Sequence, residues 1–544
     1  MQRTDGQEKS DRGNENGRTS SGGGCSRRSV LRTGAGALAA GGLLAGTGLA
    51  SADTGAGGVP SRLSDRFDRV VDVTDVGIDD TGSESIVDDL ERLRDRHELQ
   101  SGTLLYFPEG RYYMDRMFRM TGFDQFGMYG DGATLVPADY HNIQDGQHKL
   151  FRLGVHYNPG GTLVVENFEV DQTAPDTGVR VLETGVSDRL EVRDIDIRGK
   201  HDSGAWGPGR FTLTDSDGTG VVRRFRAPDG GDYTANTPHD KLWRGPSGII
   251  CNTYNKGRMT FRECELGGFP DNGLYAAGSK GQVRVWRGKY KNSNGANVRV
   301  GGPNSQVIGV DVEVDRNWDE TKSQRGIRVE KTDDIEIRDC NVRIAADTPN
   351  SHGISVQWDV EKAYLKGNRV VMDSDVFNHA ICIAARTGDV TVYKTDVELN
   401  TPGGAAFHID GQGSDDEWAM LAQVDISGTA GDKWNRSAIY NMRNNVEFRA
   451  VTVDQTNAPK RRALENFGDD CMVYKCDFTT NQWPYIDTAA GTWVEDSTFR
   501  ADDDKKGVRL TDSTDGIYLK NNGIQNDVKD EGCSDLRMSG NEFF

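Results

Sequence analysis

Proline is scarce in this chain, at 15 of 544 residues, and lysine is scarcer than its length would suggest. The low proline content excludes a collagen-like or proline-rich disordered chain. Excess positive charge is absent as well. The formal net charge is −19, which argues against a nucleic-acid-binding protein, since contact with phosphates needs a basic face. No Cys/His spacing suits a zinc site. Only one apolar run is long, Ala35 to Ala50, and nothing after it approaches a membrane span. What is abundant is aspartate, 60 against 24 glutamates, and arginine, 45 against 20 lysines. Such a hydrated anionic surface suits a halophilic protein that must stay soluble in concentrated salt. Glycine is also rich, at 67 residues.

The N-terminus reads as an address. Residues 1–26 are polar and rich in Gly and Ser. Ser26-Arg27-Arg28-Ser29-Val30-Leu31-Arg32 follows, then the Gly/Ala-rich apolar run, then Ala50-Ser51-Ala52 as a small-residue cleavage site. The paired arginines resemble a twin-arginine signal, which implies export of a folded protein to the outside or the cell surface. The expected division is a signal at 1–52, a capping segment with the first coils at 53–160, and a repeat domain at 161–544 interrupted by an insertion at 200–247.

From about residue 160 a short pattern recurs. Apolar residues alternate, a polar corner follows, and a further apolar residue comes next. Leu190-Glu191-Val192-Arg193-Asp194-Ile195-Asp196-Ile197 and Met259-Thr260-Phe261-Arg262-Glu263-Cys264-Glu265-Leu266 are examples. Copies centred on Ile337, Leu365, Val392, Phe448, Val473, Val494, Leu519 and Met538 are mostly 21 to 28 residues apart. Between them lie short strands opened by Gly or Ala, such as Gly326-Ile327-Arg328-Val329 and Gly353-Ile354-Ser355-Val356. Alternation over three to five residues means strand, and a fixed period in the twenties means a solenoid. The fold class is therefore all-β, a right-handed parallel β-helix of roughly a dozen coils stacked about 4.8 Å apart. Cys264, Cys340 and Cys476 recur at one position of the repeat, as small inward-facing residues and not as a disulfide framework. The Asn-rich turns at 271–273 and 292–297 read as structural.

The segment before the coils carries a family resemblance. Val73-Thr74-Asp75-Val76-Gly77-Ile78-Asp79-Asp80-Thr81-Gly82 leads into a helical stretch from Glu84 to His97, and then into Phe107-Pro108-Glu109-Gly110-Arg111-Tyr112. This resembles the opening of the pectate-lyase-like and polygalacturonase-like β-helix proteins. The resemblance implies an N-terminal helical cap, and a lyase or glycoside hydrolase acting on a polysaccharide. Physically, a helix there would cover strand edges left unpaired at the end of the stack.

Chemistry on a β-helix sits in outward columns. Counting from the residue that opens each short strand gives one column of Tyr275, Arg299, Arg328, Ser355, Cys382, His408 and Tyr440. Two residues further on, a second offers Glu330, Gln357, Asp410 and Met442. Arginine binds carboxylates in bidentate fashion, so these columns suit an anionic polymer. Arg299, Arg328, Glu330 and His352 are the candidate catalytic residues. Tyr275, His408, Asp410, Tyr440 and Trp243 are candidates for substrate binding, Trp243 from the insertion as a wall over the groove.

His352, in Ser351-His352-Gly353-Ile354-Ser355-Val356, resembles the histidine segment of the polygalacturonase-type hydrolases. That resemblance implies an Asp-Asp pair one coil earlier, where this chain has Gln324-Arg325-Gly326. His379 and Arg325 occupy the coil position of His352, so the three could equally be a turn ladder. A lyase would use Arg299 or Arg328 against a uronate, with Asp271, Glu330 or Asp410 holding Ca²⁺ through oxygen ligands. Two readings follow: cleavage of an acidic polysaccharide by β-elimination or hydrolysis, or a non-catalytic β-helix that binds glycans or builds the cell surface. The partner expected in either case is a polysaccharide, with no nucleic acid.

Overall fold

The computed structural model describes residues 58–143, 147–238, 245–318, 323–412, 414–431, 436–457, 460–502 and 504–544. The signal expected at 1–52 and Trp243 lie outside these residues. The described chain is a right-handed parallel β-helix. Each coil hydrogen-bonds to the one before and the one after it. Arg325–Val329, Ile335–Arg338 and Asn341–Ile344 form one coil. They pair in register with His352–Val356, Lys362–Lys366 and Arg369–Met372 of the next.

Alternation decides which side chains enter the core. Val298, Ile327, Ile354, Ile381, Phe407 and Ile439 stand directly above one another in successive coils. All six are wholly buried. Each such residue contributes about 1.5–3 kcal/mol by leaving water. The small residue opening each of these strands has a steric cause. A Cβ on Gly353 would sit 2.4 Å from Val370 Cγ1, a side chain of the same coil's third strand.

The corner between the second and third strands is the most regular feature. Asp194, Glu263, Asp339, Lys475, Asp496 and Asn521 occupy it, all with φ near +55°. That left-handed residue turns the chain sharply. The residue after it points inward, and this is where Cys264, Cys340 and Cys476 lie, all buried and all free thiols. Their Sγ atoms face the carbonyls of Val222, Val307 and Phe448 one coil back, at 3.4 to 3.6 Å. Asn368 and Asn522 fill the same position, and each donates from Nδ2 to a carbonyl one coil back at 3.0 Å.

The Asn-rich turns behave differently from a simple ladder. Asn297 accepts from Ser293 N–H within its own turn and donates to the Arg325 carbonyl. Side chains bonded directly from coil to coil occur further along: Asn441 Nδ2 donates to Asn466 Oδ1 at 2.8 Å, and Asn466 Nδ2 to Asp487 Oδ2 at 3.2 Å.

The cap is the helix Val87–Asp95, within the stretch expected over 84–97, and it buries Val87, Leu90 and Leu93 in the same core as the coils. The stretch 200–247 is less of an insertion than its sequence suggests. Gly209–Leu213 pairs with the coil before it, and Thr219–Ala227 pairs with the coils on both sides. Residues 209–227 are thus a regular coil, and the period is broken only on either side of it. Two consecutive arginines at its corner, with Arg224 in the left-handed conformation, disguise the repeat.

Asn466 is fully buried and bonded above and below. Asn466→Ala is expected to lower the unfolding free energy by about 2 kcal/mol, because it removes the side-chain bonds to Asn441 and Asp487 and the bond to the Gly468 carbonyl, while Asn441 keeps the Arg443 carbonyl and Asp487 keeps the Tyr485 hydroxyl. The guanidinium midpoint measures this, and an unchanged midpoint would show that the ladder does not carry load.

Candidate functional site

The outward column stands as the counting requires. Tyr275 pairs with Arg299, Arg299 with Arg328, Arg328 with Ser355, Ser355 with Cys382, Cys382 with His408, and His408 with Tyr440. Arg325, His352 and His379 form a neighbouring column. Between coils, the parallel register brings the two columns into contact.

At one end of the column, Glu330 is buried between two arginines. Arg299 Nη2 is 2.6 Å and Arg328 Nη2 2.7 Å from its carboxylate. The Arg299 guanidinium also lies over the Tyr275 ring, 4.8 Å from its centroid. Glu330 is thereby fully engaged, and the pair of arginines retains one positive charge in excess. Next along, Gln357 donates to Ser355. The Cys382 thiol is pushed up by burial, so it is no nucleophile.

At the other end, aromatic rings form a continuous row. Centroids are 6.0 Å apart for His352 and His379, 4.6 Å for His379 and His408, 5.4 Å for His408 and Tyr440, and 5.2 Å for Tyr440 and Phe467. His408 and Tyr440 are parallel to within 4°. The faces of Tyr440 are therefore turned to its neighbours, and what it offers a ligand is its hydroxyl edge.

The electrostatics sort these rings. Burial lowers His379 to about 3, with His408 adding to the effect, and Ala405 N–H donates to its Nδ1 at 3.0 Å. Burial, then Arg325, His379, His408 and Arg328, holds His352 well below the usual imidazole range. Both are neutral at pH 7. His408 Nε2 is 3.2 Å from Asp410 Oδ1, and this bond holds the Asp410 carboxyl below its ordinary value. Burial, with Glu465 and Asp410 nearby, raises the Tyr440 phenol, which keeps its proton. His352 Nδ1 and His408 Nδ1 are buried without a hydrogen-bond partner.

The three acids expected to hold Ca²⁺ do not come together. Asp271 accepts from Ser247 and Asn272, Glu330 is clamped by arginines, and Asp410 is held by His408. A group able to chelate a divalent ion does exist elsewhere: Asp139, His141 and Asp176, whose ligand atoms lie within 4.8 Å of one another. His141 is exposed and the acids half-buried. The sequence offered no signal for it, because a loop and a distant turn supply the ligands. Asp333 and Asp334 are exposed in a turn away from His352, so the hydrolase-type carboxylate pair is not assembled.

No family model matches the chain, and no curated protein is similar to it. Several solved structures resemble it distantly. The Streptococcus pneumoniae surface protein and adhesin PfbA is 11% identical over 87% of this chain and 100% of that one, with a TM-score of 0.36. The A-module of the Azotobacter vinelandii mannuronan C-5 epimerase AlgE4 is 11% identical over 87% and 97%, with a TM-score of 0.30. The catalytic unit of a GH87 alpha-1,3-glucanase from Streptomyces thermodiastaticus is 13% identical over 88% and 69%, with a TM-score of 0.27. The assignment of the fold stands on the chain's own strand register.

His379 sets a pH dependence of stability. Its folded value lies below its ordinary 6.5, so the unfolded chain binds the extra proton. Stability is full above pH 6.5 and falls, by about 1.4 kcal/mol per pH unit for this residue, as pH drops towards 3. His379→Asn keeps an acceptor for Ala405 N–H but cannot titrate. Denaturant midpoints at neutral pH and at pH 5 should differ less in this variant than in the wild type; equal differences would show that His379 titrates normally.

Proposed function

We propose that the chain is an exported carbohydrate-active β-helix that binds an acidic polysaccharide along the columns from Tyr275 to Tyr440 and cleaves it by β-elimination. The observation that carries this reading is the pair of parallel rings His408 and Tyr440 with Asp410 on His408 Nε2. Export is supported by the paired arginines and apolar run of the N-terminus.

Hydrolysis would need one carboxyl group kept protonated and a second one free. Here Asp410 is held ionised and Glu330 is spent on two arginines. Elimination asks for other groups. A base takes the proton from the carbon next to the uronate carboxylate, a double bond forms to the adjacent carbon, and the glycosidic oxygen leaves with a proton. His408, oriented by Asp410, is the base. The Tyr440 hydroxyl, which keeps its proton, supplies the acid. Arg325, whose charge acts on both His352 and Cys382, is the cation we assign to the uronate carboxylate. The excess charge of Arg299 and Arg328 holds the polymer further along.

One observation favours the alternative of binding without cleavage. His408 Nδ1, the atom that would accept the proton, is buried. Ultraviolet absorbance of unsaturated uronides decides between the two. Incubation with polyuronates should raise it, and Tyr440→Phe or His408→Ala should slow the rise by roughly 10²–10⁴-fold while binding persists. Binding with neither an absorbance change nor new reducing ends would leave a glycan-binding protein.

A further inference from the structure

The same outward column continues towards the N-terminus. Arg119 pairs with Arg152, Arg152 with Glu183, and Glu183 with Arg210. Around Glu183 the charges do not balance. Lys149 and Arg152 each approach its carboxylate to 3.2 Å, Arg210 to 4.0 Å, and Arg180 is in direct contact with it. Four cations thus share one buried carboxylate, on a chain whose net charge is −19.

We infer that this cluster of Lys149, Arg152, Arg180 and Arg210 around Glu183 is an anion subsite for a carboxylate or sulfate group of an acidic saccharide. Glu183 is the strut that allows the cations to be packed together, and three positive charges remain for a ligand. Arg180 is almost wholly buried, while the side chains of Arg152 and Arg210 are 23% and 21% exposed, so the excess charge reaches the surface through them. Burial, with Arg180 adding to it, has pulled the Lys149 ammonium down to about 8 despite the Glu183 carboxylate beside it. One column position away, Arg119 Nε is buried without an acceptor.

Exposed rings flank the cations. Trp206, 44% exposed, lies 5.3 Å from the Arg210 guanidinium, and Arg119 donates to the hydroxyl of exposed Tyr157. A saccharide recognised here would set its anionic group on the guanidinium fork and an apolar face against a ring. Ile250 and Tyr275 are the column positions between Arg210 and Arg299. The subsite is therefore two coil steps from Tyr275, the near end of the columns proposed above, and three, about 14 Å, from Arg299. The ligand class rests on the function proposed above, whereas the anion subsite rests on the charges alone.

The test is equilibrium binding to the mature chain of a polyuronate, a sulfated glycan, a neutral glucan and inorganic sulfate. Arg210→Gln is the variant of choice, because Glu183 keeps its three closer partners and the fold is spared; Arg152→Gln is the second. At least one acidic glycan should bind in preference to the neutral one, free sulfate should compete, and either variant should weaken binding roughly tenfold at an unchanged melting temperature. Whichever glycan binds more tightly identifies carboxylate or sulfate. Wild-type affinity in both variants, or equal binding of the neutral glucan, would overturn the subsite. A chain that produces no unsaturated uronide yet loses binding in Arg210→Gln keeps the subsite and loses the elimination reading; the converse result separates them the other way.

Discussion

Everything in this molecule follows from one constraint, the in-register parallel hydrogen bonding of each coil to the next. It sets every side chain about 4.8 Å from its counterparts above and below. Inside, like on like is favourable, because apolar residues stacked on apolar residues close-pack without polar groups to satisfy. Outside, the same rule is costly. Two like charges at that spacing repel by about 3.5 kcal/mol at an effective dielectric of 20. An outward column can therefore carry charge only where something between the coils relieves it.

The columns show three kinds of relief. Arg299 and Arg328 share Glu330, which comes from the end of the second arginine's own strand. Around Glu183 one carboxylate serves four cations. In the imidazole row the charge is simply given up, since His352 and His379 stay neutral next to Arg325 and His408. The last solution leaves polar nitrogens buried without partners, at His352 Nδ1 and His408 Nδ1. Unsatisfied buried groups cost stability, and sites of function are where that cost is tolerated.

The columns themselves were legible from the sequence because period-2 alternation and a recurrent Gly or Ala fix both face and register. Tyr275 to Tyr440 could be counted off without a structure. What each residue does there could not. Whether Arg299 meets a ligand or Glu330 depends on side-chain reach across a coil 31 residues away, and no pattern encodes it. Arg180 and Glu183 carry no local signal for the cationic cluster, because Lys149, Arg152 and Arg210 reach Glu183 from the neighbouring coils. The coil at 209–227 reads as part of an insertion because the spacing before and after it is irregular. Asp139, His141 and Asp176 were invisible for a different reason: their proximity is made by a loop, outside any repeat. Periodic structure is readable from periodic sequence, and departures from it are not.

The aspartate-rich surface, read as suited to concentrated salt, bears on how a ligand could be held. At molar salt the screening length shrinks to about 3 Å, so long-range attraction between this chain and a polyanion is extinguished. Its net negative charge then no longer repels such a polymer, but scattered surface arginines no longer attract it either. Only cations at contact distance, partly withdrawn from water, still discriminate. Lys149, Arg152, Arg180 and Arg210 meet that condition, and so do Arg299 and Arg328 at the edge of the groove. The buried carboxylates Glu183 and Glu330 make this possible, because each holds several cations together that would otherwise repel one another. In this fold the acid within a basic column thus keeps the cations closely packed and partly desolvated, which is what recognition in salt requires.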